Sequence, residues 1–106
     1  GLKVIRNAQE TATDHFYDAE RLRIEGQLRT HIDRDGARRC FQAAIDASRK
    51  ASMKSLELRA ALALHDFQLS QDEKVDIGGL FGHLRPWIEG EIANAEIRRA
   101  RKLLVE

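Results

Sequence analysis

Only one cysteine and one proline occur in 106 residues, aromatic side chains make up 6%, and neither sign of charge prevails. The lone Cys40 excludes an internal disulfide, and its place in an apolar helical pattern points to a reducing, cytoplasmic setting with the thiol as a small buried hydrophobe. With Pro86 as the sole proline, most of the chain is free of obligatory helix breaks. Strand-favouring residues are scarce. Eighteen basic against seventeen acidic side chains leave a net charge of +1, so no whole-chain field favours nucleic acid or an anionic membrane. No apolar run approaches the roughly 20 residues that span a bilayer, which argues against a membrane partner. The N-terminus has no charged-then-apolar signal layout. Gly1 stands where a methionine is usual and lies directly in a helical pattern, which predicts a piece of a longer protein.

What is present is helical material. Apolar residues reach 42% and charged residues 33%, with Ala, Leu, Arg and Glu dominant, the composition of helices with solvated faces around a thin core. Residues 2–13 place Leu2, Ile5, Ala8 and Ala12 at helical spacing and predict an orphan first helix without its preceding neighbour. Asp14 can cap a second helix from about His15, with Phe16, Ala19, Leu22 and Gly26 on one face and Tyr17, Ile24 and Leu28 on another, which predicts neighbours on both sides. A polar turn over residues 31–36 precedes a helix carrying Ala37, Cys40, Phe41, Ala44, Ile45 and Ala47 through residue 51, with Asp35 as its expected N-cap. Ser52 to Ser55 form a short connection. Leu56, Leu58, Ala60 to Leu64 and Phe67 then run apolar nearly all round, as in a helix buried between others.

A fifth segment opens after Asp72 with Val75, Ile77, Leu80, Phe81 and Leu84; Gly78, Gly79 and Gly82 weaken it, and Pro86 is expected to kink or end it. Trp87 and Ile88 lead through Gly90 to a last helix with Ile97, Ala100 and Leu104 on one stripe, and Arg98, Arg99, Arg101 and Lys102 facing largely outward. The pattern predicts a single all-α domain over residues 1–106, about six helices with short antiparallel connections. Its parts are the orphan helix 2–13, a repeat at 15–51, a degenerate repeat at 55–90 and a capping helix at 93–106. Internal similarity supports the repeats: residues 19–28 align with residues 55–64 at an offset of 36.

Gly26, Ala37, Phe41 and Ala44 occupy the small and large packing positions of a tetratricopeptide (TPR) repeat, in which small residues let paired helices approach and one aromatic fills the gap. The spacing from Ala37 to Phe41 to Ala44 fits the second helix of that motif, while Gly26 to Ala37 is one residue shorter than usual. Over residues 15–106 the chain resembles the C-terminal TPR-like region of large bacterial signalling proteins that couple a predicted ATPase module to a cyclase or DNA-binding output domain. The runs YDAERLRIEGQL, ARRCFQAAIDASRKASMKSLELRAALAL, WIEG and AEIRRARKLL carry that resemblance. It implies antiparallel helix pairs stacked as a short right-handed solenoid. It also implies a regulatory role in which the repeats hold a protein, a peptide or neighbouring domains, while cyclase or ATPase chemistry resides in modules this chain lacks.

The residues themselves offer no catalytic constellation. His31-x-Asp33-x-Asp35-Gly36 has the alternation of a calcium loop, but its twelfth position is Gln42, so the closing bidentate carboxylate is absent. Histidines 15, 31, 65 and 83 occupy separate segments without the pairing a zinc site needs. Gly78-Gly79-x-x-Gly82 lacks the lysine and preceding strand of a phosphate loop, and nothing beside Glu89 and Glu91 would raise one pKa for acid catalysis. No enzyme activity, metal or cofactor is therefore expected. The arginine clusters Arg21/Arg23, Arg38/Arg39 and Arg98/Arg99/Arg101/Lys102 are diluted by acidic neighbours and lack interleaved aromatics.

The expected function is a non-catalytic interaction module, with Arg23, Gln27, Arg59 and Ala63 of the copied helices as the partner-binding surface. Two alternatives are a purely structural C-terminal cap of a longer solenoid and a nucleic-acid-binding helical domain. The apolar positions of residues 2–13 also make a homodimer possible.

Overall fold

The computed structural model describes residues 17–90 and 94–105, and all regular structure among them is helical. Residues 17–29 belong to helix α1. Helices α2 (Arg34–Lys50), α3 (Lys54–Ser70), α4 (Ile77–Phe81), α5 (Arg85–Gly90) and α6 (Ala95–Val105) follow, with a 3-10 turn at Gly82–Leu84 between α4 and α5. The expected helix at 2–13 lies outside the described residues.

Helix α1 buries Ala19 and Gly26 and rests Leu22 on the core. Its outer side is laced by Arg21–Glu25 at 3.4 Å and Arg29–Glu25 at 2.9 Å, pairs four residues apart that meet on a helical surface. A turn over Thr30–Ile32 leads to Asp33, which is the N-cap of α2: its carboxylate accepts from Gly36 N at 3.0 Å. The expected cap, Asp35, lies instead in the first turn and pairs with Arg38. Two aspartates so close in sequence are equivalent by type, and Gly36 selects between them. A Cβ there would sit 2.1 Å from Asp33 Oδ2, so only glycine lets the cap close this tightly.

Helix α2 buries Ala37, Phe41, Ala44, Ile45 and Ser48 against α3, with the Phe41 and Phe67 rings 5.7 Å apart and tilted by 50°. A hydrogen at Gly26 stands where a methyl would meet Phe41 Cε1 at 2.8 Å, so the absent side chain lets α1 lie against the Phe41 ring. Cys40, expected to be buried, is half-buried on α2 because it sits beside the packed stripe.

Both long helices end alike. Met53 N donates to Ser48 O at 2.9 Å after α2, and Glu73 N donates to Gln68 O at 2.9 Å after α3. Each is the six-to-one bond of a Schellman ending. The left-handed residue each requires is Ser52 (φ 57°) or Asp72 (φ 57°), and neither is a glycine.

Helix α3 is the axis of the fold, with Leu56, Leu58, Ala60, Ala61, Leu62, Leu64 and Phe67 buried around its circumference. The following segment departs from a single helix. Pro86 has no N–H and would crowd the carbonyl of Gly82, so α4 cannot run on through it. The chain tightens into the 3-10 turn and restarts with Pro86 in the first turn of α5, where no intrahelical N–H is needed. Leu80, Phe81, Leu84 and Ile88 stay buried across the break, so the apolar stripe survives while the backbone does not. Residues 85–90, expected as a lead into the last helix, are therefore helical themselves.

Asn94 caps α6 by accepting from Ile97 N at 2.8 Å, and Ile97 and Ala100 are buried, with Leu104 packed partly against the core. The arginines of α6 do not all face outward. Arg101 folds back to donate to Ile88 O at 2.8 Å at the end of α5, and Arg99 reaches across to Asp66 on α3.

Candidate interaction groove

Arg23 and Gln27 stand one turn apart on α1, and Arg59 and Ala63 one turn apart on α3. The copied register thus puts equivalent arginines on neighbouring helices. The fold brings all four to one groove of about 370 Å³, which Leu62 and Asp66 of α3 and Ala95, Glu96 and Arg99 of α6 complete. Glu20 lies beside this groove and holds two of its arginines. Arg23 Nη2 donates to Glu20 Oε2 at 2.6 Å, and Arg59 Nη1 donates to Glu20 Oε1 at 2.6 Å. Arg59 Nε also donates to Glu96 Oε2 at 3.4 Å, so one guanidinium joins α1, α3 and α6. Arg23 Nη1 reaches Gln27 Oε1 at 3.3 Å.

At the other end, Arg99 Nη1 donates to Asp66 Oδ2 at 3.0 Å, and His65 Nδ1 lies 3.2 Å from Asp66 Oδ1. Burial pushes the Glu20 carboxyl up, but the hydrogen bonds and charges of Arg23 and Arg59 outweigh it and hold the group below its ordinary value. Asp66 behaves likewise: burial raises it, and Arg99 with His65 brings it below the ordinary value. Both carboxylates are therefore ionised near neutrality. Arg23, Arg59 and Arg99 face Glu20, Asp66 and Glu96, so the groove is charge-balanced, amphipathic and ordered by its own ion pairs. Sequence reasoning names four of its residues as partner-binding, has Arg99 only as one of a basic cluster, and misses the acids Asp66 and Glu96 and their neighbour Glu20. Their only sequence signal is helical phase, because the Arg59 pairs span 39 and 37 residues.

The packing positions Gly26, Ala37, Phe41 and Ala44 are all buried, and Gly26 abuts the Phe41 ring. The calcium-like pattern is divided between a turn and a helix: Asp33 caps α2 and takes Arg29 at 3.0 Å, while Asp35 lies in the first turn. Among the described residues no three His, Cys, Asp or Glu side chains converge as a metal-holding group. Nor is any described helix long and apolar enough to cross a membrane.

A second cluster escapes the sequence pattern. Glu57 is 1% exposed in the apolar belt of α3, accepts from Arg49 Nε at 2.8 Å, and lies 3.5 Å from His83 Nε2. Arg49 Nη2 also donates to Gly79 O at 3.3 Å, so the cluster fastens α2, α3 and α4. Arg49 and His83 thus take different oxygens of the one carboxylate, Oε2 and Oε1. Comparison with protein-family models, with curated proteins and with solved structures gives no match for this chain.

Proposed function

We propose that the chain is a non-catalytic interaction module made of TPR-like helix pairs, holding a peptide or a neighbouring domain in the groove between α1, α3 and α6. One observation carries this reading: Arg23, Gln27, Arg59 and Ala63, equivalent positions on two sequence copies, line one continuous groove. In the proposed arrangement α1 and α2 form the first pair, α3 with residues 77–90 the second, and α6 the cap. The pairs follow a right-handed solenoid. A charge-balanced wall with an alanine floor suits an extended segment of mixed charge, which exchanges its own carboxylates and amides with Arg23 and Arg59. It does not suit a polyanion, since each arginine of the groove already faces a carboxylate. A regulatory setting in a bacterial signalling protein rests on the sequence resemblance.

The test is selection of peptides from a random display library against the chain, followed by binding to Ala63→Arg, which puts a long side chain into the groove from a half-buried position on α3. Loss of binding with unchanged circular dichroism supports the reading. Equal binding by Ala63→Arg, or no selected peptide, overturns it.

A purely structural cap is the second reading, favoured by the inward turn of α6, whose Arg99 and Arg101 hold α3 and α5. Deleting residues 91–106 separates the two. A cap predicts loss of helicity and solubility, whereas a binding helix predicts loss of the peptide alone.

A further inference from the structure

The side of α1 opposite the buried Ala19 and Gly26 carries a seam of its own. Tyr17, Arg21, Ile24 and Leu28 follow one another at steps of four, three and four, the spacing that keeps one stripe of a helix facing a second helix. Ile24 is 47% exposed and Leu28 73%, and with Tyr17, Glu20, Arg21 and Glu25 they line a groove of about 670 Å³. The Arg21 side chain is 62% exposed and meets Asp18 at 3.6 Å and Glu25 at 3.4 Å, exposed pairs of a kind that contribute little. Its guanidinium can therefore turn to another carboxylate at small cost.

We propose that this face takes a second copy of the chain, the two α1 helices docked antiparallel about a two-fold axis that passes between Arg21 and Ile24. The seam is complementary to itself in that orientation. Tyr17 stands level with the partner's Leu28 and Arg21 with the partner's Ile24, and symmetry makes each contact occur twice. In such a pair the same flank of each helix meets, so Arg21 comes within one residue's rise, about 1.5 Å, of the level of the partner's Glu25. The stem of Arg21 lies on the isoleucine while its charge reaches the glutamate, and ring and aliphatic meet at either end. Parallel pairing instead sets Arg21 against Arg21, so charge selects the antiparallel dimer. One short helix on another covers less than about 1,200 Å², which makes the dimer weak and dependent on concentration. Arg23 and Gln27 lie on the other flank of α1, so the groove toward α3 and α6 stays open to a partner segment in the dimer.

Sedimentation equilibrium of the whole chain at low ionic strength, over a wide range of concentration, tests this by charge exchange. The unaltered chain is expected to pass from monomer to dimer as concentration rises. Arg21→Glu alone sets acid against acid across the axis and Glu25→Arg alone sets base against base, so each weakens the dimer by about tenfold or more. Mixing the two variants in equal amounts restores opposite signs across the axis and recovers the dimer, as does the double variant Arg21→Glu/Glu25→Arg. That recovery also shows that the single variants are folded. A chain that stays monomeric at every concentration overturns the proposal and leaves the face to another occupant. A dimer that neither single substitution weakens, or a mixture that associates no better than its components, overturns it as well.

Discussion

Replacing Gly26 with alanine separates two opposing effects by sign. On a helix surface the change stabilises by about 1 kcal/mol, because glycine is the poorer helix former. Here the new Cβ would meet Phe41 Cε1 at 2.8 Å and Cδ1 at 2.9 Å. The ring cannot withdraw freely: Phe41 is 1% exposed and packs on Phe67 at 5.7 Å. Overpacking of a filled core costs about 1–3 kcal/mol, so the net expectation is a loss of about 1 kcal/mol. For a domain of this size that lowers the Tm by roughly 4–8 °C. Urea unfolding followed by circular dichroism reads the value directly. In a Phe41→Leu background the crowding ring atoms are gone, and the same Gly26→Ala change becomes neutral or stabilising. A stabilisation by Gly26→Ala in the unaltered chain would refute the packing of α1 on α2.

Three further outcomes follow from the same geometry. Arg49→Ala leaves the buried Glu57 carboxylate without its main partner and lowers stability by about 3 kcal/mol, whereas joint replacement by Arg49→Met and Glu57→Leu recovers most of that loss; denaturant midpoints distinguish the two. Glu20 and Asp66 have folded pKa values below their ordinary 4.5 and 3.8, so their contribution is complete above those values and is lost as pH falls through the folded ones. Stability against urea therefore declines below about pH 4.5, and Glu20→Gln makes that acid limb shallower. Ser52→Gly relieves a left-handed serine at φ 57° and stabilises by about 1 kcal/mol, seen as a higher Tm.

The helices most legible in the sequence are those whose apolar residues repeat at helical spacing and whose contacts lie near in the chain. Ala37, Phe41 and Ala44 announce the buried face of α2, and the nearly continuous apolar run of α3 announces its central place. Local chemistry was harder to rank. Asp33 and Asp35 are the same residue type two positions apart, and the steric demand at Gly36 decides which one caps. Pro86 signals a break without saying that the chain restarts as a helix immediately, because the burial of Leu84 and Ile88 on either side of it is a matter of tertiary packing. The groove is half legible: repeat register gives Arg23 and Arg59, but the acids they meet come from other helices at distances along the chain that no local pattern encodes. Glu57 is the clearest omission. An acid flanked by Leu56 and Leu58 at the start of the apolar run of α3 is the signal that identifies it.

The central claim is that a partner segment lies along α1, α3 and α6, and it is tested most directly by titrating the isotopically labelled chain with a library-selected peptide and following the backbone amides. The account predicts the largest chemical-shift changes at Arg23, Gln27, Arg59 and Ala63, with smaller ones at Glu96 and Arg99. Shifts confined to residues 77–90, or to the outer strip at Ile24 and Leu28, would contradict it.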